Sequence, residues 1–239
     1  MVVESIAKSH RGLVRKDNED AVLELPNHQV WVVADGMGGL SDGHYASQTV
    51  VTHVAKRLEQ DTGNHSTVEL VVQALQAANE DLYHYGVEEL SGKRIGSTAV
   101  ALVIDEDDYH FIWAGDSRGY LFREGALVQQ TRDHSRANQL LDGGSITSIQ
   151  AASHPLKHEV ARAIGVSRHV AIEVVQGRLK SNDTFLLCSD GLHDALSDFE
   201  IEGALIDATI DASVEKLVHS VLVRGARDNV SCVLAKFTR

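Results

Sequence analysis

Runs of strand character follow one another in this chain more often than they alternate with helices, and that order restricts the folds open to it. Apolar segments rich in Val, Ile, Phe and Trp stand at Ala21–Leu25, Gln29–Ala34, Thr98–Ile104, Tyr109–Ala114, Gly119–Arg123, Val170–Val175, Thr184–Cys188 and Val230–Phe237. Helices are predicted over 43–60, 66–89, 197–209 and 211–224. In the second, Val68, Val71, Val72, Leu75, Ala78 and Leu82 keep close to helical spacing. Ser197 and Asp198 have N-cap chemistry, and Glu200 and Glu202 suit a first turn. Helices in pairs and strands in runs disfavour a doubly wound βαβ sheet and predict an α+β fold, with helices packed on antiparallel sheets. With two prolines, Pro26 and Pro155, and neither repeats nor a linker, the 239 residues are expected to form one domain over 1–239.

Charge narrows the function. Thirty-four acids against 22 bases give a formal net charge of −12, which argues against a nucleic-acid partner, because phosphate backbones are bound by clustered Lys and Arg. The two cysteines, Cys188 and Cys232, lie in apolar runs and suit free buried thiols in a reduced cytoplasm. The opening MVVESIAKSHRG has no signal-peptide pattern, and no segment approaches 18 consecutive apolar residues, so no membrane segment is expected. A single domain of this size is expected to be a monomer.

The most telling local pattern is an acid at the end of an apolar run. Val30–Ala34 leads into Asp35-Gly36, Phe185–Ser189 into Asp190-Gly191, and Phe111–Ala114 into Gly115-Asp116. Asp228 stands just before Val230–Phe237. One Asp-Gly alone is usually a turn. Several on strand ends that converge would gather carboxylates on rigid supports. Glycine after Asp35 and Asp190 permits a sharp turn and close approach, and leaves the Gly36 carbonyl free to coordinate. Such acids repel one another strongly unless a hard cation such as Mg²⁺ or Mn²⁺ sits among them.

Seven segments, in order, carry a resemblance that spans about Ser9 to Phe237: RGLVRKDNEDAV (11–22), VVADGMGG (32–39) with YAS (45–47), GSTAVALVI (96–104), WAGDSRGYLFREGALVQQTRDHS (113–135), HPLKHEVARAIGV (154–166), LLCSDGLHDALSD (186–198) and RDNVSCVLAKF (227–237). Together they resemble the PP2C-type, or PPM, metal-dependent serine/threonine protein phosphatases in their compact bacterial form. The resemblance implies a four-layer αββα sandwich of two antiparallel sheets flanked by helix pairs, with the site at one end. It implies two core Mn²⁺ or Mg²⁺ ions held by Asp35, the Gly36 carbonyl, Asp190 and Asp228, and a weaker third ion at Asp116. Glu19 and Asp20 are expected to hold metal-bound waters, and Arg15 to grip the substrate phosphate. Residues near 134–163 match a flap beside the substrate entrance. Phosphoproteins are the implied substrates, including a eukaryote-like serine/threonine kinase and its targets in a bacterium. The chain departs from the family at Leu40, where bacterial members usually carry His, and at His44-Tyr45, near a usual Glu. Met37 stands where eukaryotic relatives carry a His proposed as general acid.

The implied chemistry is direct attack on phosphorus by a water or hydroxide shared between two ions, without a phospho-enzyme. Arg15 suits the phosphate because its planar fork matches two oxygens. The departing alkoxide needs a proton, for which His134, His44 and His193 are candidates beside a metal-bound water. Cysteine chemistry is set aside, since neither Cys188 nor Cys232 is followed by the Cys-x5-Arg cradle of thiol phosphatases. Rival functions are another two-metal phosphoesterase and a phosphoprotein-binding pseudophosphatase. The latter predicts eroded ligands, whereas Asp35, Asp190, Asp228 and Arg15 are all present.

Overall fold

The computed structural model describes residues 2–38, 42–61, 63 and 65–238; Gly39 and Leu40, the latter one of the family departures, lie outside them. In chain order the elements are β1 (Val2–His10), β2 (Asp20–Leu25), β3 (Val30–Met37), α1 (Asp42–Glu59), α2 (Thr67–Glu88), β4 (Gly96–Ser97), β5 (Ala99–Asp105), β6 (Asp108–Ala114), β7 (Arg118–Arg123), β8 (Ala126–Gln129), α3 (Arg136–Asp142), α4 (Ser148–Ala152), β9 (Glu173–Arg178), β10 (Thr184–Cys188), α5 (Asp190–His193), α6 (Asp198–Leu205), α7 (Ile210–Val223) and β11 (Val230–Thr238).

The strands form two antiparallel sheets. One runs β1-β11-β10-β7-β8; the other runs β2-β3-β5-β6-β9, with β4 paired to the end of β3. The central strands are apolar on both faces, and their alternation sorts side chains between layers. On β3, Trp31 and Val33 enter the core between the sheets, while Val30, Val32 and Ala34 face α1 and α2. On β11, Val233, Ala235 and Phe237 face inward, and Val230, Cys232 and Leu234 meet α6 and α7. The inter-sheet core is anchored by fully buried Trp31, Phe111, Phe185 and Phe237, with Trp31 edge-on to Phe237 at 5.6 Å between centroids. This is the four-layer αββα sandwich that the family resemblance implies. Cys188 and Cys232 are both free and buried.

Local chemistry explains the helix ends. Ser66 caps α2 in a capping box with Glu69, and Ser197 does the same for α6 with Glu200. The α6 pattern predicted to 209 stops at Leu205, because Ile206 is extended and Asp207 takes a left-handed φ of 53°. The strand predicted from Val170 begins only at Glu173. Val170 and Ile172 pack against the α1–α2 layer instead of joining the ladder. β1 and β8 went unpredicted because each is an edge strand with polar residues interleaved.

Candidate active site

Five carboxylates converge at one end of the sandwich, each from the end of an element. Asp20 opens β2 and lies directly across the ladder from Asp35, near the end of β3. Asp116 sits in the turn between β6 and β7, Asp190 opens α5 straight after β10, and Asp228 precedes β11. Since β2, β3 and β6 belong to one sheet and β7, β10 and β11 to the other, the cluster straddles both. A cavity of about 430 Å³ opens over it, lined by Arg15, Glu19, Asp35, Gly36, Asp116, His158, Asp190 and Asp228, among others.

Two glycines let the backbones close in. A Cβ on Gly36 would stand 1.9 Å from the Gly43 carbonyl oxygen, and one on Gly191 would stand 1.9 Å from that of Asn229. Buried hydroxyls fix the ligand-bearing strands. The Asp35 amide donates to Thr98 Oγ1 at 3.0 Å, and Thr98 Oγ1 lies 2.7 Å from Ser117 Oγ. Ser97 Oγ donates to the Asp35 carbonyl at 3.0 Å, and Ser189 Oγ to Asp20 Oδ2 at 2.9 Å.

The electrostatics record crowding of like charge. Burial pushes the Asp35 carboxyl well above the ordinary carboxylate range, and Asp20, Asp190, Asp116 and Asp228 add to the shift. Burial raises Asp20 to about 7, against opposing hydrogen bonds from Ser231 and Ser189. Burial and the neighbouring Asp190 raise Asp116 to about 7. Asp190 is raised by burial and by Asp228, although His193 and a hydrogen bond with Asp35 oppose the shift. Arg15 offsets some of this charge: its guanidinium donates to Asp228 Oδ2 at 2.7 Å, and this bond raises its own pKa.

The donor set fits a hard divalent cation. It is all oxygen, it carries excess negative charge, and the buried Oδ1 of Asp20 has no hydrogen-bond partner. Among the described residues no three His, Cys, Asp or Glu side chains are drawn together into a ready-made cage. Arg15 draws the Asp228 carboxylate to itself, and a bound cation would compete for that carboxylate.

The structure also sorts the remaining candidates. Glu19 reaches the cavity, half-buried, with its carboxylate against Gly43. None of the three candidate proton donors lines it. His134 is buried, its Nδ1 accepting from the Gly115 amide at 3.0 Å and its Nε2 3.0 Å from Glu173. His193 places Nε2 3.1 Å from the Asp116 carbonyl, and its side chain is 3% exposed. His44 is exposed, with Nδ1 3.1 Å from the Asn18 carbonyl.

Two residues escaped sequence reasoning. Buried Asn229 accepts the Glu19 amide at 2.8 Å and donates to the Arg11 and Asp17 carbonyls at 2.8 and 3.0 Å, so it pins the loop that carries Arg15 and Glu19. Its signal was the Asn directly after Asp228 in RDNVS. His158 lines the cavity from the 153–163 loop, with Nδ1 2.8 Å from Asp194 Oδ2; nothing in the sequence set it apart from the other histidines.

An oxygen-lined cleft across the end of an αββα sandwich marks a scaffold for divalent-cation chemistry. Comparison with known proteins identifies which one: the protein phosphatase 2C family pattern matches residues 7–237, and the chain belongs to that family. It is 34% identical over 235 residues to the serine/threonine protein phosphatase PstP of Mycobacterium tuberculosis, covering 98% of this chain and 45% of that protein. The chain thus spans a little under half of that relative. It is 31% identical over 236 residues to the serine/threonine phosphatase stp of Listeria monocytogenes, covering 96% and 94% of the two chains. The crystal structure of the PstP catalytic domain in complex with two manganese ions superposes with a TM-score of 0.85 at 32% identity, covering 99% of each chain.

Proposed function

We propose that this protein is a metal-dependent serine/threonine phosphoprotein phosphatase. The observation that carries the proposal is the pairing of opposites in one cavity: buried and half-buried carboxylates that repel one another line it, and a half-exposed arginine, Arg15, stands beside them. Asp35, the Gly36 carbonyl, Asp190 and Asp228 would hold two Mn²⁺ or Mg²⁺ ions, Asp116 a third, and Glu19 and Asp20 would bond to waters around them. Bound there, the ions supply Lewis-acid activation of water and neutralise charge on the phosphoryl group.

The chain's own residues do the rest. Arg15 exchanges its bond with Asp228 for two oxygens of the substrate phosphate, a better geometric match for its fork. Asn229 holds the Arg15 loop at a fixed distance from the carboxylates. Thr98 and Ser97 fix the backbone of Asp35, and Ser189 holds the Asp20 carboxylate against mutual repulsion. A phosphate bound this way is oriented before reaction, which removes part of the entropic barrier.

The proposed substrates are phosphoserine and phosphothreonine on proteins, among them a serine/threonine kinase and its targets. The two free buried thiols favour the cytoplasm as the compartment, and no helix of the described residues is long and apolar enough to cross a membrane. Release of phosphate from a phosphothreonine peptide with Mn²⁺, with EDTA, and by Asp190→Ala protein tests the proposal. It predicts release that vanishes in EDTA and in the variant. Activity that survives both would overturn it.

A further inference from the structure

We propose that His158, oriented by Asp194, is the proton donor to the departing serine or threonine oxygen. The inference rests on the phosphatase reading above and goes beyond the candidates that the sequence offers. His134, His44 and His193 do not line the cavity, whereas His158 lines it together with Arg15, Asp35 and Asp190.

The geometry is that of a carboxylate–imidazole pair. His158 Nδ1 lies 2.8 Å from Asp194 Oδ2, so Nδ1 carries hydrogen towards the carboxylate and Nε2 is left for the cavity. Burial would raise the Asp194 carboxyl, but the neighbouring His193, with Nδ1 3.4 Å from Asp194 Oδ1, and His158 hold its pKa below the ordinary value. Asp194 follows α5, the helix that Asp190 opens, so the orienting carboxylate and a proposed metal ligand share one rigid turn.

The backbone around His158 is built rather than loose. The Lys157 amide donates to the His154 carbonyl at 3.1 Å and the Glu159 amide to that of Leu156 at 3.2 Å. On the far side, the Arg136 amide donates to the Glu159 carbonyl at 2.8 Å. The side chain is 52% exposed, so solvent can reprotonate it between turnovers.

The step balances without a further reagent. Water oxygen forms the new bond to phosphorus, its proton passing to solvent, as the bond from phosphorus to the serine or threonine oxygen breaks. The electron pair leaves on that oxygen, which takes the proton from His158 Nε2 as it departs. The neutral imidazole then regains a proton from solvent.

The test exploits the leaving group. An alkoxide leaves poorly without a proton, whereas nitrophenolate leaves readily, so a donor matters for the first and little for the second. Wild type, His158→Gln and Asp194→Asn are compared on a phosphothreonine peptide and on p-nitrophenyl phosphate, each with Mn²⁺. The proposal predicts that His158→Gln lowers kcat on the peptide by about 100-fold or more, with KM little changed, and lowers kcat on the aryl phosphate less than about threefold. Asp194→Asn shows the same selectivity with a smaller loss. Equal losses on both substrates, or none on either, would overturn the assignment of His158 while leaving the phosphatase reading intact. A wild type inactive on both substrates would overturn the two together.

Discussion

Replacing Asn229 with alanine probes the link between the fold and the phosphate-binding loop. Three hydrogen bonds from this buried side chain reach residues 11–19: one accepted from the Glu19 amide and two donated to the Arg11 and Asp17 carbonyls. Arg11 and Asp17 are exposed, so water can serve their carbonyls once the amide is gone. The half-buried Glu19 amide has no such substitute and bears the full desolvation cost, about 1–3 kcal/mol, to which the two lost bonds add about 1 kcal/mol. A destabilisation of about 2–4 kcal/mol follows. With a urea slope of about 3 kcal/mol per molar, the unfolding midpoint drops by about 1 M. Because the same loop carries Arg15, the variant also loses tenfold or more in kcat/KM on a phosphopeptide, chiefly through KM. Urea titration followed by tryptophan fluorescence, with the phosphate-release assay alongside, measures both. A midpoint within about 0.3 M of wild type and an unchanged kcat/KM would refute the idea that Asn229 holds this loop.

Three further outcomes follow from the carboxylate cluster. Asp20 and Asp116 stand at about 7 in the folded protein, against about 4 when unfolded. The folded state therefore binds more protons across this window, and metal-free stability falls as pH rises from about 4 to about 7. Calorimetry in EDTA should show Tm declining across that range, and saturating Mn²⁺ should remove most of the decline; a flat Tm in EDTA would contradict the crowding. Asp35→Asn spares the folded state the cost of burying or protonating this carboxyl, so it raises the metal-free Tm while abolishing the Mn²⁺-induced rise, both read by differential scanning fluorimetry. Gly36→Ala places a methyl group 1.9 Å from the Gly43 carbonyl oxygen, which costs about 2 kcal/mol or more in urea unfolding and weakens Mn²⁺ binding by calorimetry.

The sequence revealed the parts of this structure that have strong local signatures. Strands buried on both faces, such as Val30–Ala34 and Thr184–Cys188, were legible because their apolar runs are short and bounded by turns. Capped helices were legible for the same reason; Ser197 marked the start of α6. The ends of Asp35-Gly36 and Asp190-Gly191 also stood out, because an acid followed by glycine at the end of a buried strand is an unusual juxtaposition. What stayed hidden depends on tertiary placement. The edge strands β1 and β8 alternate polar and apolar residues in patterns that a loop also allows. The apolar residues Val170 and Ile172 could not announce that they serve the helix layer. Composition could not separate His158 from His134, since only the fold decides which ring faces the cavity and which is enclosed beside Trp113.

The measurement closest to the central claim is anomalous diffraction at the manganese edge from crystals equilibrated with Mn²⁺. The account predicts two strong peaks in the cleft, bounded by Asp35, the Gly36 carbonyl, Asp190 and Asp228, with a weaker third beside Asp116 and with Arg15 released from Asp228. Manganese bound elsewhere on the protein, or no peak among these carboxylates at saturating Mn²⁺, would contradict it.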